Sequence, residues 1–280
     1  MLTDKIILIT GATAGIGETT AIELARQGAT LLLVSRNPAR CEATVARLKV
    51  ETGNQNISAI PADLSSMAQV RQAAERFKER FPRLDVLVNN AGANFMSRQV
   101  SIDGFEMTFA LNHLSYFLLT NLLLESLKVA PSARIVNVAS GSHKGARLDF
   151  NDLQIEKGYN GMRAYGQSKL CNVLFTYELA RRLGPKPTVN ALHPGFVATR
   201  IGTNNGPLVR LGIGIAHLFA LSPEEGAKTS IYLASSPDVE GVTGKYFYQC
   251  RPIPSDPASY DEESARRLWE VSAEMTKLLS

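Results

Sequence analysis

The 280-residue sequence has few cysteines and no long apolar run. Cys41, Cys171 and Cys250 are odd in number and form no CxxC pair, so neither a disulfide framework nor a zinc site is indicated. The longest apolar stretches, 117–124 and 208–221, are too short or too interrupted to span a bilayer. The first residues lack a signal-peptide pattern. We therefore expect a cytoplasmic protein with no transmembrane segment.

The excess of one sign of charge over the other is also small. The chain has 30 basic and 26 acidic residues. The basic residues are scattered and form no basic run, which argues against nucleic-acid binding and is compatible with a small anionic ligand. The four histidines show no metal-ligand spacing, so no metal is expected. A composition of 45% hydrophobic and 20% charged residues is typical of a globular protein.

Short apolar runs alternate with longer amphipathic stretches. Strands are predicted at 5–10, 30–35, 57–61, 85–89, 133–139, 188–192 and 245–248. Helices are predicted at 17–27, 39–51, 67–80, 104–129, 163–183, 224–234 and 261–279. Strands that are apolar throughout and separated by helices indicate a parallel sheet covered on both faces. The predicted fold is a single-domain, doubly wound (Rossmann) α/β sheet of about seven strands, with a lid near 200–221 and a C-terminal extension at 250–280.

A glycine-rich turn, TGATAGIG at 10–17, joins the first predicted strand to the first helix. Gly11, Gly15 and Gly17 would let the backbone approach a pyrophosphate, and the N–H groups of a helix N-terminus attract an anion. The spacing G-x-x-x-G-x-G differs from the usual G-x-G-x-x-G, and a tight structural turn is the alternative. The position between strand and helix favours phosphate binding.

The ends of the next strands predict which cofactor is bound. Ser35 and Arg36 stand where NAD-binding folds carry an acidic residue. Arginine can bind a 2′-phosphate, which favours NADP(H), the alternative being a solvated loop charge. Asp63 could accept a hydrogen bond from the adenine amino group. Its residue type instead favours a role as the N-terminal cap of the helix that follows. The small residues of NNAG at 89–92 leave room for a ribose, and the asparagines can join strand ends.

Tyr165 and Lys169 are four residues apart on a predicted helix and therefore share one face. A nearby ammonium favours the phenolate and lowers the pKa of a tyrosine toward the working pH. This pair is common by chance, with a core tyrosine and a solvated lysine as the alternative. Ser140 ends the fifth strand, where a hydroxyl can stabilise a substrate oxygen. Asn112 could distort its helix, hold a water or be a satisfied buried amide.

Taken together, these residues resemble the short-chain dehydrogenase/reductase superfamily over about residues 3–250. The motifs that carry the resemblance are TGATAGIG at 10–17, NNAG at 89–92, Asn112, Ser140, YxxxK at 165–169 and HPG at 193–195. Finer features resemble the retinol dehydrogenase-like branch. They are LNHLSYFLLT at 111–120, RIVNVAS at 134–140, YGQSKLCNVLF at 165–175, GKYF at 244–247 and ARRLWEVS at 265–272.

The resemblance implies an NADP(H)-dependent oxidoreductase that interconverts an alcohol and an aldehyde or ketone. A hydrophobic substrate is expected, in a retinol dehydrogenase-like or carbonyl reductase reaction. Tyr165 would exchange a proton with the substrate oxygen, and Lys169 would lower its pKa and orient the nicotinamide ribose. Ser140 would fix the substrate oxygen, and Asn112 would hold a proton-relay water. The implied cofactor-binding residues are Gly11, Thr13, Ala14, Gly15, Ile16, Gly17, Ser35, Arg36, Asp63, Leu64, Asn90, Ala91, Gly92, Tyr165, Lys169, Pro194, Gly195, Val197 and Thr199.

Some features depart from the superfamily pattern. Ser140 and Tyr165 are 25 residues apart, about twice the separation common in the superfamily. The loop at 141–161 must therefore fold aside. Ser142 is a second candidate for the serine that binds the substrate oxygen. The chain begins at the first strand without the anchor of membrane-bound relatives, which argues against a retinoid substrate. A sugar-nucleotide epimerase or dehydratase, or a non-catalytic dinucleotide-binding protein, remain alternatives. Both a monomer and a homodimer are compatible with the sequence.

Overall fold

The computed structural model describes residues 1–196 and 221–278. Within them, eight strands form one sheet in the order β3-β2-β1-β4-β5-β6-β7-β8. The strands are β1 (Ile6–Thr10), β2 (Thr30–Ser35), β3 (Ile57–Pro61), β4 (Val86–Asn89), β5 (Arg134–Val138), β6 (Thr188–Leu192), β7 (Tyr246–Tyr248) and β8 (Arg251–Ile253). Neighbouring strands are parallel, except that β8 runs antiparallel to β7.

Helices cover both faces of the sheet. One face packs against α1 (Gly15–Arg26), α2 (Pro38–Thr52) and α8 (Pro223–Ser235). The other face packs against α3 (Met67–Arg80), α5 (Ser115–Leu122), α6 (Leu124–Val129), α7 (Gly161–Leu183) and α9 (Glu262–Met275). Side chains alternate along each strand: in β1, Leu8 joins one apolar layer, whereas Ile7 and Ile9 join the other. The predicted doubly wound fold is confirmed.

The prediction of one continuous helix over 104–129 is wrong. Gly104 has a φ of +85°, which is not helical, and the carboxylate of Glu106 accepts from two following backbone N–H groups. A short α4 (Met107–Phe109) therefore begins after Glu106 and passes into a π-helix over Ala110–Leu114 before α5 starts. At Leu123 the backbone again leaves helical geometry, with φ −98° and ψ 3°, which separates α5 from α6.

The eighth strand lies in the segment expected only to be an extension. Pro252 is the middle residue of β8, and a proline within a short polar run argues against a central strand. Here β8 is the edge of the sheet, where proline is tolerated because its missing N–H is not needed for pairing. Among the described residues the sheet therefore has eight strands, where about seven were expected.

Candidate active site

The carboxyl ends of the parallel strands meet at one edge of the sheet. The register pairs Thr10 with Val34 and Ser35 with Pro61 on one side of the sheet, and Val138 with Leu192 further along. The glycine turn, the Ser35-Arg36 pair, NNAG, Ser140 and the HPG motif therefore all follow strands that end at this edge. This is the edge where ligands bind in doubly wound sheets.

The glycine turn is shaped for close approach. Gly11 and Gly15 have φ values of +67° and +55°, a region that favours glycine. A Cβ on Gly17 would lie 2.4 Å from both the Asn90 amide nitrogen and the Gly11 carbonyl oxygen. Ala14, at the N-cap of α1, caps none of the helix N–H groups with its side chain. The free N–H groups and the helix dipole suit a phosphate, so the turn fits the predicted dinucleotide.

Thr10 fixes the turn against β4, a role that the sequence alone did not reveal. Its hydroxyl oxygen accepts from the backbone N–H groups of Asn90 at 2.9 Å and Ala91 at 3.0 Å. The Asn90 side chain donates to the Thr10 carbonyl oxygen at 2.9 Å. Asn90 therefore uses its amide to hold the turn together. The only sequence signal for Thr10 is that it opens the TGATAGIG motif.

On the strand next to the glycine turn, Ser35 ends β2 and Arg36 follows it. The Ser35 hydroxyl oxygen is buried and has no hydrogen-bond partner among the described residues. Buried polar groups are nearly always satisfied, so an orphaned hydroxyl beside the glycine turn suits a polar group of a ligand. Arg36 is exposed and is free to contact a phosphate.

Asp63 is not the cap of α3, contrary to the interpretation favoured by its residue type. Its Oδ1 accepts from the backbone N–H and the hydroxyl of Ser65, at 3.0 and 2.7 Å. The N-cap residue of α3 is Ser66, and the first helical N–H, that of Met67, donates to Asp103 at 2.8 Å. Asp63 instead forms an Asx turn that orders the chain after β3, beside Leu64.

Tyr165 and Ser140 meet at the centre of the edge. Tyr165 is only 8% exposed, and its hydroxyl interacts with the Ser140 side chain, which acts to lower the Tyr165 pKa. Ser140 is the N-cap of a 3₁₀ turn, and its Oγ accepts from the Ser142 N–H at 3.2 Å. Ser142 is exposed and lies behind Ser140, with 3.3 Å between the two hydroxyl oxygens. Of the two candidate serines, the structure therefore brings Ser140 to Tyr165.

Lys169 lies beside this pair and is 3% exposed. Its Nζ donates to the carbonyl oxygen of Val138 at 3.0 Å and lies 5.6 Å from the centre of the Tyr165 ring. Burial lowers the pKa of Lys169 to about 7. Burial also raises the pKa of Tyr165, although the interaction with Ser140 acts in the opposite direction. The net shift of the Tyr165 pKa is therefore upward, and the lowering expected from Lys169 stays a prediction.

Asn112 lies in the π-helix and is fully buried. Its Oδ1 accepts from the Ala93 N–H at 2.9 Å, and its Nδ2 donates to the Ala93 carbonyl oxygen and the Ser168 hydroxyl, both at 3.0 Å. Asn112 is thus a satisfied amide in a distorted helix. A Cβ on Gly92 would lie 3.2 Å from Asn112 Oδ1 and 3.4 Å from Lys169 Nζ, so Gly92 leaves room for both side chains.

A ladder of buried polar side chains joins the central strands beneath the site. The Asn89 amide donates to Asn137 at 2.9 Å and to Thr120 at 3.0 Å. Asn137 in turn donates to Thr176 at 2.9 Å. This confirms that an asparagine of NNAG holds neighbouring strand ends together. Asn137 was not among the predicted residues, because its partners are distant in sequence.

The HPG motif forms an ordered turn after β6. The Gly195 N–H donates to His193 Nδ1 at 3.0 Å, and the His193 ring stacks on Tyr248 with 4.3 Å between centroids. His193 therefore orders this loop, as predicted, beside Pro194. Val197, Thr199 and all of the proposed lid except Leu221 lie outside the described residues. Within 1–196 and 221–278, no three His, Cys, Asp or Glu side chains are grouped to hold a metal ion.

Two exposed methionines lie at the start of α7. Met96 and Met162 are 42% and 56% exposed. The Asn94 amide nitrogen lies 3.9 Å from the sulfur of Met96 and 3.5 Å from that of Met162. Met162 lies three residues before Tyr165 on α7, and Asn94 follows the Ala93 backbone that Asn112 holds. The two methionines form an exposed apolar pair, here called the apolar rim, which no sequence motif indicated.

The comparisons with known proteins agree with this geometry. The family model for short chain dehydrogenases matches residues 5–207. The chain belongs to the short chain dehydrogenase family. Retinol dehydrogenase 14 of Homo sapiens is 44% identical over 98% of this chain and 87% of its own length. Polyprenol dehydrogenase of Homo sapiens is 40% identical over 99% of this chain and 86% of its own length. The chain is therefore retinol dehydrogenase-like and is an oxidoreductase acting on CH–OH groups.

Solved structures give the same result for the fold. An uncharacterized protein from Mycobacterium Paratuberculosis has a TM-score of 0.80 and 31% identity, covering 98% of this chain and 94% of its own. RhlG of Pseudomonas aeruginosa, solved as an NADP active-site complex, has a TM-score of 0.70 and 30% identity, covering 92% and 97%. No helix of the described residues is long and apolar enough to cross a membrane.

Proposed function

We propose that this dehydrogenase uses NADP(H) to interconvert a hydrophobic alcohol and its aldehyde or ketone. The observation that carries the proposal is that buried Tyr165 interacts with the Ser140 side chain and lies beside buried Lys169. These three groups lie at the same sheet edge as a glycine turn that suits a pyrophosphate. An acid/base tyrosine at this place is what carbonyl reduction requires, because the substrate oxygen must gain a proton there.

The protonation states support this reaction. Burial raises the pKa of Tyr165, so its hydroxyl holds its proton at neutral pH and can donate it to a carbonyl oxygen. Ser140 can donate a second hydrogen bond to that oxygen and stabilise its developing charge. In the oxidation direction Tyr165 must act as base, and the ammonium of Lys169 favours the phenolate that forms. When bound, a nicotinamide dinucleotide supplies or takes the hydride.

The choice of NADP(H) over NAD(H) rests on the end of β2. Arg36 is exposed beside the buried, unpartnered hydroxyl of Ser35. A guanidinium and a hydroxyl together suit a 2′-phosphate, whereas NAD-binding folds place a carboxylate here for the ribose hydroxyls. The NADP complex of RhlG, a relative of 30% identity, supports the same choice.

The preference for a hydrophobic substrate rests on the apolar rim. Met96 and Met162 expose flexible, polarizable side chains that adapt to irregular apolar ligands. Two relatives carry the names retinol dehydrogenase and polyprenol dehydrogenase, and both names denote long apolar alcohols. These names support a substrate of the same kind, and they weaken the expectation against a retinoid.

The test is turnover of a panel of aldehydes, ketones and retinoids with NADPH, for the wild type and Tyr165→Phe. We expect Tyr165→Phe to lose about 100-fold or more in kcat, with NADPH binding measured by fluorescence unchanged. Unchanged turnover in this variant would remove Tyr165 from its assigned role. If hydrophobic compounds react no faster than polar ones of equal reactivity, the proposed substrate class is wrong.

A further inference from the structure

The imidazole of His143 lies between the turn that carries Ser140 and the segment that follows β8. Its Nδ1 is 2.6 Å from the Ser140 carbonyl oxygen. Its Nε2 accepts from the backbone N–H of Asp256 at 3.0 Å. The side chain is fully buried, and its ring packs against Tyr246 of β7 with 4.8 Å between centroids. These contacts use both ring nitrogens of His143.

The two backbone partners determine the tautomer of this histidine. A backbone N–H can only donate, so Nε2 must carry the lone pair that receives the Asp256 hydrogen. A carbonyl oxygen can only accept, so Nδ1 must carry the proton and donate it to Ser140. The Tyr246 hydroxyl, 3.4 Å from Nδ1, is a weaker second partner of the same N–H. Burial lowers the pKa of His143, which keeps this neutral tautomer.

Asp256 holds the same turn a second time. One oxygen of its carboxylate accepts from the Gly145 N–H at 2.9 Å, and the other accepts from the Ala258 N–H at 2.9 Å. The turn at 141–145 is therefore connected at two points to one residue 111 to 113 positions away in sequence. Ser140 stands at the start of this turn, where its hydroxyl meets Tyr165.

We propose that His143 is a positioning residue of the active site: its neutral imidazole fixes the catalytic Ser140 by joining it to the backbone of Asp256. The segment around 254–257 thereby belongs to the machinery that aligns the substrate oxygen. The hydrogen bonds of His143 among the described residues go to Ser140, Tyr246 and Asp256. This inference rests on the proposed function, because it takes Ser140 as the group that binds the substrate oxygen.

Asp256 offers a matched pair of variants. Its φ of −62° suits proline, so Asp256→Pro removes the N–H that His143 accepts while keeping the backbone conformation. Asp256→Ala keeps that N–H and removes only the carboxylate, which Asp256→Pro also removes. We expect Asp256→Pro to lose about 10-fold or more in kcat relative to Asp256→Ala, with KM and the NADPH stoichiometry little changed. Equal kcat values in the two variants would overturn the proposal.

Substitutions of His143 test the other end of the connection. In His143→Asn the amide nitrogen can replace the Nδ1 donor to Ser140. In His143→Gln the amide oxygen can replace the Nε2 acceptor from Asp256. His143→Ala replaces neither group. We expect both amides to retain more kcat per bound NADPH than His143→Ala. A His143→Ala enzyme with wild-type kcat per bound NADPH would refute the role of His143.

Amide hydrogen exchange over residues 141–146 provides a readout that needs no turnover. We expect faster exchange in Asp256→Pro than in Asp256→Ala, because the turn loses its connection through His143. Unchanged exchange would overturn the proposal even if activity fell. If the wild type bound NADPH but reduced no carbonyl, the proposed function would fail, while the exchange data would still decide whether His143 holds the turn.

Discussion

The ammonium group of Lys169 donates to the carbonyl oxygen of Val138, the last residue of β5, at 3.0 Å. This contact joins the middle of α7 to the strand that carries Ser140 two residues later. Because both Tyr165 and Lys169 lie on one face of α7, the hydrogen bond also sets the position of Tyr165. Lys169 therefore has a structural partner as well as an electrostatic one, and its removal should affect both.

Replacing Lys169 with methionine removes the ammonium 5.6 Å from the Tyr165 ring while keeping an unbranched side chain. An opposite charge at about 4–6 Å favours a charged group, so the phenolate loses stabilisation. We expect kcat for alcohol oxidation to fall about 100-fold, the lower end for acid/base effects. The acidic limb of its pH profile, where Tyr165 loses its proton, should move to higher pH. Lys228→Met, at an exposed lysine, is the control. A pH profile of kcat that does not move would contradict the electrostatic role.

Replacing Arg36 with alanine should reduce the preference for NADPH over NADH. A charge-assisted hydrogen bond contributes about 1.5–3 kcal/mol, which corresponds to a loss of about 10- to 100-fold in NADPH affinity. NADH has no 2′-phosphate, so its Kd should stay the same. Arg40→Ala removes another exposed arginine, one turn further along the chain, and should leave both constants unchanged. A constant ratio of the two Kd values in Arg36→Ala would show that Arg36 does not contact the phosphate.

The sequence predicts most of the sheet because its central parallel strands are short, mainly apolar runs that alternate with helices. The same reasoning fails at 104–129, where the run is apolar throughout but Gly104 has a positive φ and Asn112 binds the Ala93 backbone. Neither the backbone angle of Gly104 nor the contact of Asn112 changes the hydrophobic pattern of the sequence. The three-residue β8 is missed because it is short and contains Pro252.

The site could be predicted where residues directly follow strands, as Gly11, Ser140 and the HPG motif do. Residues that act through distant backbone groups could not be found in this way. His143 depends on Asp256, 113 positions away, and no spacing rule connects them. The burial that raises the pKa of Tyr165 could not be predicted either, because sequence spacing shows the neighbouring charge of Lys169 but not burial.

Adding a methyl group at Gly17 should disturb the glycine turn. Its Cβ would lie 2.4 Å from the Gly11 carbonyl oxygen, a backbone atom that cannot move without displacing the turn. We expect Gly17→Ala to lower the free energy of unfolding by about 1–3 kcal/mol and to weaken NADPH binding more than 10-fold. Gly53 has a φ of +72°, and a Cβ added there would have no neighbouring atom within 4 Å among the described residues. Gly53→Ala should therefore lower the free energy of unfolding by only about 1–2 kcal/mol and leave NADPH binding intact. Denaturant unfolding and cofactor titration check both, and equal binding in the two variants would contradict the phosphate role.

His113 should make the fold sensitive to acid. The His113 side chain is fully buried, and its Nε2 lies 2.8 Å from the hydroxyl oxygen of Ser272 on α9. Burial lowers the pKa of His113 to about 3. Between about pH 6.5, the pKa of an unperturbed histidine, and pH 3, the unfolded chain binds one proton that the folded protein does not. The free energy of unfolding should therefore fall as the pH falls, with a slope of about 1.4 kcal/mol per pH unit from this residue. Above pH 6.5 its contribution should be constant.

The variant that isolates this effect is His113→Gln, whose amide can still reach Ser272 but does not titrate. We expect its unfolding free energy to fall less steeply than that of the wild type between pH 6 and pH 4, as measured by urea unfolding at a series of pH values. Carboxylates titrate alike in both proteins, so the difference between the two curves reports His113. At pH 8 the difference should be constant with pH, which serves as the internal control. Parallel curves from pH 8 to pH 4 would mean that His113 is protonated in the fold or that the site opens on protonation.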